Sequence, residues 1–117
     1  MVVVYRSNFY LIQNMPKRTK RSQSIHDAAV RRIAKELEAK GFDVEADVSG
    51  YTRPGTFRGY RSDVVATKGK ERKVVEVETS ESVDSTRDRK QQQAFRNVAS
   101  RSKHTTFKRV VVRTRSD

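Results

Sequence analysis

A chain of 117 residues carries 26 Lys and Arg against 14 Asp and Glu, a formal net charge of +12, with a pI near 10.5 and a mean hydropathy of −0.85. That length supports one domain with a modest core and excludes two separate cores, while a hydrophobic content of 34% confines the core to a few segments. The charge favours a polyanionic partner, nucleic acid before an anionic membrane surface, and the lack of cysteine excludes disulfides and cysteine-ligated zinc and fits a reducing cytoplasm.

Positions 1–23 form a basic, partly flexible segment, followed by a single domain over 24–117. Two short apolar patches, Val2-Val3-Val4-Tyr5 and Phe9-Tyr10-Leu11-Ile12, are too short to span a bilayer and lack the flanks of a signal peptide, so no membrane association is expected. Met15 is an alternative start. Lys17, Arg18, Lys20 and Arg21 make a basic run, read both as a solvated tail and as an arm on phosphates.

Ser24, Asp27 and Gly41 bracket a helix over about 25–40, with Ser24 as the cap and Gly41 as the stop. Ile25, Ala29, Ile33 and Leu37 recur at four-residue steps, joined by Val30 and Ala34, which gives an apolar face to lay on a sheet. A first strand alternates over 43–48, its acids Asp43, Glu45 and Asp47 on a solvated edge. The stretch 49–59 contains Gly50, Pro54, Gly55 and Gly59 with Tyr51, Arg53, Phe57 and Arg58, a loop with basic and aromatic tips.

Two β-branched runs follow, 63–67 and 73–79, joined by a turn through 68–72. Side chains alternate along a strand, so Glu76 and Glu78 share one face and Val75 and Val77 the other. Antiparallel pairing then sets Asp63 near Glu78, and three carboxylates converge. Two readings follow: a solvated strand face, which is the common fate of a Val/Glu alternation, or a site where a hard divalent cation relieves the repulsion. The scarcity of acids in so basic a chain favours the site. A second helix spans about 86–101, with Lys90, Gln91, Gln92, Gln93 and Arg96 beside a narrow apolar stripe of Ala94, Phe95, Val98 and Ala99. A final strand covers 107–112, its three valines continuous enough for burial on both faces.

The order helix, three strands, helix, strand, with Ser62-Asp63 before one strand and Glu76-Val77-Glu78 in the next, resembles the α/β (α+β) core of the restriction-endonuclease-like PD-(D/E)XK nucleases, archaeal Holliday junction resolvases in particular. The resemblance covers about 24–113 and implies a mixed central sheet flanked by helices, a Mg²⁺ or Mn²⁺ cofactor, duplex or branched DNA as substrate, and a homodimer. It places the metal on Asp63, Glu76 and Glu78. Ser62 stands where the family keeps proline, and Glu78 stands where it keeps the lysine that orients water and stabilises charge on the phosphate.

Lys90 is the candidate to supply that missing cation, because Lys73 has the parity of Val75 and Val77 and points away. Asp27 matches an acid that relatives direct at the metal from the first helix, with His26 beside it as a relay or phosphate contact, although a cap and an exposed helix start are the favoured readings of the pair. Gln92 or Gln93 falls where relatives place a glutamine near the site. Arg53, Arg58, Arg61 and Arg96 join the basic run as phosphate contacts.

Three functions compete: a metal-dependent deoxyribonuclease, a nuclease-fold DNA-binding module whose site has decayed, and a small basic RNA- or ribosome-associated α/β protein. Nine aromatics without Trp give no stacking platform of the kind single-strand binders use, which favours duplex contact. Glycine-rich phosphate loops and nucleophile motifs near His26 or His104 are absent from the sequence.

Overall fold

The computed structural model describes residues 19–80 and 86–113. Helix α1 (Lys20–Ala39) leads to strand β1 (Asp43–Ala46), a small hairpin of β2 (Thr56–Phe57) and β3 (Tyr60–Arg61), then β4 (Val64–Lys68), β5 (Glu71–Thr79), helix α2 (Thr86–Ser100) and β6 (Thr105–Val112). The main sheet runs β1-β4-β5-β6. Its β1/β4 and β4/β5 pairs are antiparallel and its β5/β6 pair is parallel, and α2 supplies the crossover that a parallel pair needs. This is the mixed sheet with two helices that the sequence predicts.

The start of α1 differs from expectation. Thr19 is the N-cap, accepting from the backbone N–H of Ser22 at 3.0 Å, and the helix begins at Lys20. Thr19 is also a capping residue, though ranked below serine, and His26 and Ser22 continue the buried stripe of Val30 and Ala34 backwards by one and two turns. The stop falls where glycine predicts it. Gly41, at φ +91, donates to Glu38 O at 2.9 Å while Phe42 donates to Leu37 O at 3.1 Å. This Schellman closure brings Phe42 against Leu37 in one apolar cluster.

Strand β5 is the axis of the molecule. Six consecutive residues from Val74 to Thr79 are buried, because the strand has neighbours on both edges and helices on both faces. Val75 and Val77 join Val64, Ala66 and Ala46 under α1. On the opposite face Phe95 of α2 packs on Phe107, 5.6 Å between ring centroids, and edge-on against Phe57 of the hairpin at 5.9 Å.

The two edge strands behave differently from each other. Asp43 and Glu45 of β1 are exposed, as a solvated edge requires. The valines of β6 are not buried on both faces as expected: Val111 is 47% exposed, because β6 ends the sheet. Among the described residues, no helix is long and apolar enough to cross a membrane.

Phe95 is fully buried and is the only ring that touches both the hairpin and β6 among the described aromatic pairs. Phe95→Ala is expected to cost about 3–5 kcal/mol of unfolding free energy, read as a lowered urea midpoint with little change in slope.

Candidate active site

Strands β4 and β5 are joined by the two-residue loop Gly69-Lys70, and Lys68 pairs with Glu71. Gly69, at φ +59, occupies the first central position, where a type II′ turn needs glycine. This loop is tighter than the turn expected through 68–72, and it moves the register by two residues. Val64 lies opposite Val75, so the residue facing Asp63 is Glu76, not the neighbourhood of Glu78.

Beyond that point β5 continues alone on its β4 side. Its backbone there still needs partners, and Asp63 provides one: Oδ2 accepts from the Val77 N–H at 2.8 Å, while its backbone carbonyl accepts from Asp47 N at 2.9 Å on the β1 side. Asp63 therefore stitches both neighbouring strands at the place where the sheet divides. It is 8% exposed.

The other oxygen of Asp63 faces α1. His26 Nε2 lies 3.2 Å from Asp63 Oδ1, and His26 Nδ1 lies 3.0 Å from Asp27 Oδ1. Asp27 is held in turn by Gln23 Nε2 at 2.8 Å. The pair expected as a cap and an exposed helix start is neither, because the helix begins earlier and turns His26 inward to 4% exposure. Nδ1 makes the hydrogen-bond contact, to Asp27, while Nε2 approaches Asp63 at ion-pair distance without hydrogen-bond geometry.

Glu76 is 3% exposed and Glu78 is 5% exposed. Both lie on the α2 face of β5, where Gln91 Nε2 donates to Glu76 Oε1. Arg109 of β6 sits opposite Glu76 in the parallel register and shares the face of Phe107. A cation thus flanks the buried acids. Among the described residues, no three acids or histidines lie close enough to cage a metal by themselves.

The inward-facing glutamine is Gln91, one turn before Phe95 on the same stripe. Gln92 is buried and bonded to Arg96 Nη2 at 3.4 Å, and Gln93 is turned to Asn97 at 3.2 Å. Sequence reading missed Gln91, Arg109 and the bridging role of His26. Helical phase from Phe95 and from Val30 points to Gln91 and His26, and strand parity from Phe107 points to Arg109.

The remaining candidates are scattered. Lys90 is exposed, unlike the buried Asp63 and Glu76. Lys73 lies over the Phe42 ring at 5.7 Å and 3.4 Å from Glu71, on the α1 face, as its parity requires. Lys20, Arg21, Arg58 and Arg96 are exposed. Arg53 is paired with Asp47 at 3.1 Å, and Arg61 donates to Pro54 O. Lys17 and Arg18 lie outside the described residues. The Ser62 hydroxyl is buried without a hydrogen-bond partner among the described residues, so an apolar proline ring there would forfeit no side-chain bond.

A search among curated proteins finds no match. A model of the REase_AHJR-like family matches residues 18–115, a span that holds the whole sheet, both helices and the Asp63–Glu76 junction. The chain therefore belongs to that restriction endonuclease-like family, whose name refers to archaeal Holliday junction resolvases, within the nuclease superfamily.

Proposed function

We propose that the chain is a metal-dependent endonuclease acting on duplex or branched DNA, with its reaction centred on Asp63 and Glu76. The observation that carries this reading is the burial of these two carboxylates, 8% and 3% exposed, opposite one another where β4 begins. Two acids so placed repel, and an oxygen-only pair suits Mg²⁺ or Mn²⁺. Magnesium sites commonly use one or two carboxylates, with water and substrate phosphate completing the shell, so the donor set fits without a protein-only cage. When bound, such an ion supplies an activated water and neutralises charge on the phosphodiester.

The chain's own residues do the positioning. Val77 N holds Asp63 Oδ2 by a hydrogen bond, His26 lies at ion-pair distance from Oδ1, and Gln91 holds Glu76 Oε1. Both carboxylates are thereby pre-oriented, which limits the reorganisation required on binding substrate. Glu78, in the place of the family's lysine, would hold a second ion or its waters. Phosphate contacts fall to the exposed cations Lys20, Arg21, Lys90 and Arg96, with Lys17 and Arg18 extending the run. Arg53 and Arg61 are spent on Asp47 and Pro54 and support the loop instead.

A second reading keeps the fold and the DNA but not the cleavage. The acid at Glu78 favours it, since the lysine chemistry is missing.

Asp63→Asn keeps an acceptor for Val77 N and removes the charge. It is expected to abolish Mg²⁺-dependent cleavage, with the circular dichroism spectrum preserved and affinity for DNA equal or higher, because a negative charge beside phosphate is gone. Cleavage that survives in this variant argues against Asp63 as a metal ligand.

Glu78→Lys separates the two readings. In a working acid site it reduces cleavage and weakens Mn²⁺ binding in a titration; in a decayed site it creates or raises cleavage. Binding to duplex DNA is expected to fall steeply with salt, each neutralised phosphate contributing about 0.9 to the slope of log affinity against log salt. Binding that ignores salt would count against every nucleic-acid reading.

A further inference from the structure

The hairpin just before Asp63 carries an expensive residue at its tip. Phe57 pairs with Tyr60, leaving Arg58 and Gly59 as a two-residue loop with φ values of +52 and +82. Both positive angles mark a type I′ turn, whose positions are dominated by Asn, Asp and Gly. Arg58 is the only non-glycine with positive φ among the described residues. An arginine gains nothing locally there, since it lacks the short polar side chain that bonds its own backbone in this conformation.

Nothing among the described residues accounts for that choice. Arg58 is exposed and makes no hydrogen bond, ion pair or ring contact among the described residues. The other arginines of the neighbourhood are all engaged: Arg53 with Asp47, Arg61 with Pro54 O, and Arg72 over the Phe57 ring at 5.3 Å. Strain held at an exposed position points to a use outside the fold.

The rest of the hairpin is built to hold this tip still. Phe57 is clamped between Phe95 and Arg72, and Arg61 ties β3 back to the buried Pro54. Phe95 lies one turn from Gln91, which holds Glu76, and β3 runs through Ser62 directly into Asp63. The apex and the carboxylate pair thus stand on one rigid frame. A charged tip fixed relative to a phosphodiester site suits a ligand that spans both.

We propose that the β2–β3 hairpin is a finger that engages duplex DNA, with the Arg58 guanidinium seated on the nucleic-acid backbone beside the scissile region. This rests on the nuclease-fold reading above and adds the element that grips the substrate. A guanidinium suits this role because its planar fork pairs with phosphate oxygens.

The test uses the full chain with a chelator present, so that binding is read without cleavage, and a fluorescent duplex DNA followed by anisotropy. Arg58→Gly relieves the turn, so its Tm is expected to equal or exceed that of wild type by about 2–5 °C. Its affinity is expected to fall roughly three- to tenfold, with the salt slope shallower by about 1, while Arg58→Lys retains most of both. Wild-type affinity and slope in Arg58→Gly overturn the finger and leave the nuclease-fold reading standing; a wild-type chain that binds no duplex at any salt overturns both. A larger loss on duplex RNA than on duplex DNA makes the hairpin an RNA element and overturns the proposal as stated.

Discussion

The hydrogen bond from Val77 N to Asp63 Oδ2 is the contact on which the rest of the site depends. A strand that outruns its neighbour leaves backbone donors facing an apolar interior, and an unsatisfied buried amide costs about 1–3 kcal/mol. Asp63 answers this with its side chain because its backbone is committed elsewhere, to Asp47. The same act draws a carboxylate into the sheet and sets it opposite Glu76. Architecture and the proposed chemistry share one residue, so a change that keeps the acceptor and removes the charge is the informative one.

The two helices reach this junction from opposite faces. α1 covers Val75 and Val77, yet His26 near its N-terminal end extends past the start of β4 to Asp63. α2 covers the other face and sends Gln91 to Glu76. Within a continuous sheet, groups on opposite faces are separated by the strands themselves. They meet only where a strand stops, and β4 stops at Val64. This explains why the candidate residues come from distant parts of the sequence and still converge.

Much of the fold was legible in the sequence because it is dictated locally. Alternation marked β1, β-branched runs marked β4 and β5, the four-residue stripe marked α1, and Gly41 marked its end. The register was not legible, since it hinges on whether the β4–β5 loop takes two residues or more, and both Gly69-Lys70 and a wider turn suit the composition. That choice moved the partner of Asp63 from the region of Glu78 to Glu76. The helix start was misplaced because Ser24 is intrinsically the better of two possible caps while the structure uses Thr19, and with it went the burial of His26. Gln91 was hidden among three glutamines that only helical phase separates.

The charge balance at the junction bears on the missing lysine. The family's pattern sets one cation beside two acids; here Glu78 adds a third buried acid on the face where the cation would stand. A buried carboxylate persists in ionised form only with a partner. Arg109 is in register with Glu76 and comes from β6, so a cation stands beside the acids on the neighbouring strand. A fixed positive charge can offset the acids and stabilise charge on a phosphate, yet it is a poorer proton donor or acceptor than lysine. Proton transfer at such a site would then fall to water or to His26, already lodged between two carboxylates.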